Sequence, residues 1–209
     1  MSFDGTTHNV EYGLDRLPPL VAFAVREALQ LGFEFCVHPS IGRLLSVLCA
    51  GLCDAAIVGE TGTGTGAGLG WMVEANPSTR FISVERDPAR AEAARRVFAN
   101  HRNVEVITGD AGELFDRGPF DLLVHDGGWG SGKIDPRRID PMVVLRENGV
   151  MTIDDYAPMR QWPPMFNNAL DQARIDWLTD ERFLATEVSV TPELAVLVCR
   201  RRPPTRTSA

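Results

Sequence analysis

Residues 54–70, D-A-A-I-V-G-E-T-G-T-G-T-G-A-G-L-G, restrict the possible folds of this chain more than any other stretch. Residues 55–58 are an apolar run with β-branched members, too short for a helix and followed by glycine, which predicts a buried strand. Glu60 follows, and then Gly62, Gly64 and Gly66 at alternate positions. Glycine accepts positive φ and lets a ligand lie directly on the backbone. Leu69, Trp71, Met72 and Val73 supply the apolar face of a helix. A strand, a glycine turn and a helix N-terminus together present free N–H groups and a positive dipole end to a bound cofactor. Gly62, Gly64 and Ala67 also satisfy the spacing G-x-G-x-x-G/A, so a nicotinamide or flavin cofactor stays open. The bland alternative is a tight turn that binds nothing.

With 209 residues, 44% of them hydrophobic, the chain can bury most of its apolar surface in one core, and no second domain is needed. The expected organisation is a flexible arm over 1–18, a single domain over 19–200, and a basic flexible tail over 201–209. No signal pattern and no membrane-spanning run is present, so the expectation is a soluble, cytoplasmic protein with no membrane partner. Cys36, Cys49, Cys53 and Cys199 match neither a disulfide framework nor a zinc pattern, and read as free thiols. A net charge of −7 argues against nucleic acid as the main partner, because phosphate binding draws on clustered Lys and Arg. Arg200, Arg201, Arg202 and Arg206 form a basic, proline-containing end that reads as solvated.

Along the chain, helices are expected near 20–31 and within 37–52, with Pro39 and Ser40 at the start of the second. A second strand over 81–84 ends in Glu85, and a helix with proline in its first turn covers 88–100. Glu85 lies about twenty residues past the glycines, where an open α/β sheet places the carboxylate that accepts hydrogen bonds from a ribose. A third strand covers 104–107, with Asp110 opening a short helical stretch, and a fourth covers 121–124, ending at His125 and Asp126. The loop from Gly127 to Lys133 imitates a phosphate-binding P-loop, but Ile134 stands where Ser or Thr must hold magnesium. A fifth strand over 150–153 closes on Asp154, Asp155 and Tyr156. A helix is expected over 166–178, then two strands over 183–190 and 194–199 joined by a turn short enough to make them antiparallel. This is a doubly wound α/β domain with a mostly parallel seven-stranded sheet and an antiparallel C-terminal pair. Its ligand-binding edge collects Glu60, Glu85, Asp110, Asp126, Asp154 and Asp155.

The pattern E-x-G-x-G-x-G made by Glu60, Gly62, Gly64 and Gly66 resembles the first motif of class I S-adenosylmethionine-dependent methyltransferases. Residues 37–199 as a whole resemble the small O-methyltransferases related to catechol and caffeoyl-CoA O-methyltransferases. V-H-P-S-I-G-R-L-L from Val37, F-D-L-L-V-H-D ending at Asp126, and L-R-E-N-G-V-M-T-I-D-D-Y ending at Tyr156 carry the likeness. The resemblance implies that Val37 contacts the cofactor, that Glu60, Gly62, Gly64 and Gly68 surround its methionine part, that Glu85 holds the ribose, and that Asp110 and Ala111 border the adenine. It implies Asp126, Asp154 and Asp155 as metal ligands, with Asp126 also near the methyl sulfonium. Two departures stand out: metal-dependent members carry Asp-Asn where this chain has Asp154-Asp155, and they carry a lysine soon after the first acid, where this chain has Gly127-Gly128-Trp129. Uncharacterised bacterial methyltransferases share the D-G-G and D-D-[FY]-x-P pattern seen here.

Methyl transfer is an in-line displacement at a sulfonium carbon, so the protein must orient the nucleophile and deal with its proton. Asp126, Asp154 and Asp155 offer the hard oxygen ligands that suit Mg²⁺, while the plainer reading is that such acids cap turns. His125, His38, Lys133 and Tyr156 are the remaining proton or substrate partners. His125 adjoins Asp126 on a strand and should face the opposite way. Trp129, Trp162, Met159 and Met165 could wall an aromatic substrate or simply fill a core. The expectation is therefore an enzyme using S-adenosylmethionine, with Mg²⁺ as an optional cofactor, on a small-molecule hydroxyl acceptor, and with room for a homodimer. A dinucleotide-dependent oxidoreductase and a cofactor-binding protein without catalysis are the alternatives.

Overall fold

The computed structural model describes residues 13–127, 131–132 and 138–203. After a 3-10 turn at Leu14–Arg16, helices α1 (Pro19–Leu31) and α2 (Pro39–Ala50) precede the first strand. Both begin with proline, whose missing N–H costs nothing there. Strand β1 (Ile57–Thr61) leads through the glycine turn into α3 (Ala67–Ala75), and β2 (Arg80–Glu85) into α4 (Pro88–Val97). Strand β3 (Val104–Thr108), α5 (Ala111–Phe115), β4 (Phe120–His125), α6 (Pro141–Val144) and β5 (Leu145–Tyr156) follow. A small hairpin, β6 (Met165–Phe166) and β7 (Ala169–Leu170), precedes α7 (Gln172–Thr179), and β8 (Phe183–Ser189) with β9 (Ala195–Arg201) completes the chain. The seven-stranded sheet has the order β3-β2-β1-β4-β5-β9-β8. The first five pair in parallel, and β9 runs antiparallel to both β5 and β8, as the sequence predicted.

Strand side chains alternate between two cores. Val58, Phe81, Leu122 and Val124 pack with α1 to α4, whereas Ile82, Val84, Leu123, Met151 and Ile153 pack with α5 and Trp177 of α7. Among the described residues no helix is long and apolar enough to cross a membrane.

Several boundaries differ from the sequence reading. The first strand is shifted toward the C-terminus, because Ile57 to Thr61 pair with β2 and Val58 to Thr61 with β4. Glu60 is therefore an interior residue of a central strand rather than one just beyond it. Helix α4 stops at Val97, three residues short of the expected end. The expected helix over 166–178 is wrong up to Asp171: Asn167 and Asn168 adopt positive φ of 49° and 63° and turn the β6–β7 hairpin, and Asp171 caps the helix that begins at Gln172. Paired asparagines tolerate the left-handed region, and the turn outcompetes the apolar helical pattern. At the other end, Arg201 belongs to β9 and donates to the carbonyls of Met142 and Leu145, while Arg202 donates to Phe183 O (2.8 Å). Arg201 is thus part of the sheet rather than of a solvated tail.

Candidate active site

Strand order reverses between β1 and β4, the topological switch point at which open α/β sheets bind ligands. The two strand ends are knitted together: Asp126 N–H donates to Thr61 O (3.3 Å) and Gly127 N–H to Thr61 Oγ1 (3.3 Å). The glycine turn leaves β1 with Gly62 at φ 82° and Gly64 at φ 54°, and Gly62 N–H donates to Val84 O (2.9 Å). These glycines meet the protein itself. A Cβ on Gly64 would lie 2.9 Å from the Phe33 ring, one on Gly66 2.7 Å from Phe98, and one on Gly68 2.7 Å from Glu60 Oε1.

Glu60, Ser83 and Glu85 share the sheet face toward α3 and α4. Ser83 Oγ donates to Glu60 Oε2 (2.6 Å) and lies 2.5 Å from Thr63 Oγ1. Burial, reinforced by the charges of Glu85 and Asp154 against the opposing Ser83 bond, pushes the Glu60 carboxyl up to about 8. Glu85 is also buried, but richly bonded: it accepts from Gly64 N–H (2.8 Å), Asp87 N–H (2.9 Å), and Arg90 Nε and Nη2 (3.1 and 2.7 Å).

Asp126, Asp154 and Asp155 each offer a carboxylate oxygen within 4.8 Å of the others. Consecutive strand residues ordinarily face opposite ways, so Asp154 and Asp155 could not both converge on Asp126 from a regular strand. A bulge makes it happen: between the pairs Ile153–Leu197 and Tyr156–Ala195, β5 carries one residue more than β9, and Asp155 takes φ 61°. The Asp126 carboxyl is raised well above the ordinary range, first by burial, then by the charges of Asp154 and Asp155, a hydrogen bond with Asp154, and Glu60. Three hard oxygen donors held so close fit a small divalent cation.

The remaining sequence candidates fall elsewhere. His125 faces the other core, as alternation predicted, with Nδ1 3.1 Å from Thr61 Oγ1 and its ring edge-on to Phe115. His38 caps α2 by accepting from Ser40 N–H (3.1 Å). Tyr156 is buried, its phenol pushed upward by burial, with the Arg174 guanidinium 4.5 Å over its ring. Asp110 is exposed and closes a capping box on α5, so it is not part of the acidic cluster; Ala111 and Val37 are buried in the core. Lys133 and Trp129 lie outside the described residues. The sequence patterns single out neither Phe33 nor Arg90, and the signal for Arg90 was a cation five residues beyond Glu85.

No family model matches the chain, and no curated protein does. Among solved structures, it is similar to a methyltransferase from Geobacter sulfurreducens at 21% identity, with 93% of each chain covered and a TM-score of 0.67. Cofactor-bound Rv0187 from MTB is similar at 21% identity over 94% of this chain and 98% of that one, with a TM-score of 0.70. The O-methyltransferase from Bacillus cereus in complex with SAH aligns at 19% identity over 91% and 96%, with a TM-score of 0.67. The chain thus has the Rossmann-like methyltransferase fold.

Proposed function

We propose that this protein is an S-adenosylmethionine-dependent methyltransferase that O-methylates a small hydroxyl-bearing molecule with the help of a divalent cation. The observation that carries the reading is Glu85, a buried carboxylate at the end of β2 resting against the N–H of the glycine turn at the switch point. Sheet order supports it. The dinucleotide fold continues 3-2-1-4-5-6 in parallel, whereas here antiparallel β9 takes the sixth place. The resemblance of the sequence to small O-methyltransferases and the SAH carried by the Bacillus cereus structure point the same way.

In this reading Glu85 accepts from the ribose hydroxyls, Glu60 and the turn 62–68 border the methionine part, and Asp110 with Ala111 borders the adenine. Asp126, Asp154 and Asp155 would hold Mg²⁺, which would polarise and orient an acceptor hydroxyl when bound. Burial and the charges of Asp154 and Asp155 raise the Asp126 carboxyl well above the ordinary range, and a bound cation would offset that repulsion. His125 is turned away and serves the core. Calorimetry with S-adenosylhomocysteine and with NAD tests the reading. S-adenosylhomocysteine should bind and NAD should not, and Glu85→Ala should lose about 1.5 to 3 kcal/mol of affinity, the range for a charged acceptor. Binding of NAD alone would return the site to the oxidoreductase reading.

A further inference from the structure

One oxygen of the Glu85 carboxylate, Oε1, has no room left for a ribose hydroxyl. Oε1 accepts from Asp87 N–H and two Arg90 nitrogens, which fills its lone-pair sites, while Oε2 accepts from Gly64 N–H and keeps about one site for a hydroxyl. A ribose brings two further O–H donors. Two of the present donors are fixed: Gly64 N–H belongs to the turn between β1 and α3, and Asp87 is the N-cap of α4, its own carboxylate taken by Ala89 and Arg90 N–H. Arg90 is the donor that can leave, with a side chain 30% exposed against 6% for that of Glu85. Phe33 holds it there. The Phe33 ring lies 4.9 Å from the guanidinium carbon, sits edge-on to Phe35, and covers the Cα of Gly64 so closely that a Cβ would meet it at 2.9 Å.

We infer that Arg90 and Phe33 form a latch on the cofactor site, in which Arg90 competes with the ribose hydroxyls for Glu85 while Phe33 occupies the space over the glycine turn. The inference rests on the S-adenosylmethionine reading. Cofactor entry then requires the guanidinium to leave Glu85 and the ring to leave Gly64, and the pair sets affinity by how firmly it holds. The sign is unusual: removing a side chain from the site strengthens binding. It also ties affinity to the ribose hydroxyls, because a nucleoside without them has no need of the acid that Arg90 blocks.

Titration calorimetry of the full chain with S-adenosylhomocysteine and its 2′,3′-dideoxy analogue tests this. Arg90→Met should bind S-adenosylhomocysteine about tenfold more tightly than wild type, the scale of one charge-assisted contact. The dideoxy analogue should gain little, and the unliganded variant should melt lower because the ion pair is gone. Phe33→Ala, which keeps the Arg90–Glu85 pair, should shift affinity in the same direction. Equal or weaker S-adenosylhomocysteine binding by Arg90→Met, or an equal gain for the dideoxy analogue, would overturn the latch. Failure of wild type and both variants to bind S-adenosylhomocysteine would overturn the cofactor reading itself.

Discussion

Glu60 shows how far a single residue's chemistry depends on where its strand stops. Just past a strand end it would be a solvated acid; inside β1 it is buried, bonded to Ser83, and titrates near 8 rather than 4.5. The folded chain therefore keeps a proton that the unfolded chain releases at lower pH. Between about pH 4.5 and 8 the folded state binds more protons, so stability falls as pH rises through that window, at most about 1.4 kcal/mol per pH unit for one group. Thermal melts in chelator should show a midpoint declining from pH 5 to 8.5. Glu60→Gln should flatten part of the slope and be more stable than wild type at pH 8.5. Parallel wild-type and variant curves would mean that Glu60 is ionised throughout. Asp126, raised in the same direction, accounts for the slope that remains in the variant.

The element that departs most from its expected form is the segment between β5 and α7, and it is held by one buried cation. Arg174 donates to Asp171 Oδ2 (2.9 Å), Glu187 Oε2 (3.0 Å) and Ala157 O (3.0 Å), while Glu187 Oε1 accepts from Met159 N–H (2.6 Å). This joins the start of the segment, its end and β8 at one point. Arg174→Met should cost about 3 kcal/mol, since it strands two largely buried carboxylates, and urea unfolding would measure it. A loss below about 1 kcal/mol would mean that the carboxylates find water. Met159, Trp162, Met165, Phe166 and Leu170 of the segment are exposed, so the aromatic and thioether residues there do not fill a core. The asparagine pair was a legible turn signal. The burial of Arg174 was not, because its partners lie 3 and 13 residues away on different elements.

At the scale of the molecule, the acidic cluster exists because two neighbouring strands on one side of the switch point end together. Asp126 comes from β4, and Asp154 and Asp155 come from the bulge where β5 meets antiparallel β9. If the cluster holds a cation, Mg²⁺ should raise the melting temperature of wild type by mass action and leave Asp154→Ala unmoved. Methyl transfer should fall in EDTA and recover with Mg²⁺ or Mn²⁺, and the variant should keep most of its S-adenosylhomocysteine affinity. Full turnover in chelator would overturn the role of the cation.

Local rules by themselves determined the order of strands and helices, the glycine turn after a buried strand, and the acid at the end of β2. Each depends on residues close in sequence: apolar periodicity, proline and Asp at helix starts, glycine where φ is positive. Alternation along β4 likewise decided that His125 and Asp126 point to opposite faces. Only the tertiary structure decided that Asp154 and Asp155 converge, that Tyr156 packs under Arg174, and that Glu85 is closed by Arg90 beneath Phe33. Those outcomes turn on a one-residue mismatch between β5 and β9 and on contacts between the α1–α2 connection, the glycine turn and α4. Register and packing, which no local pattern carries, settle which side chains share a space.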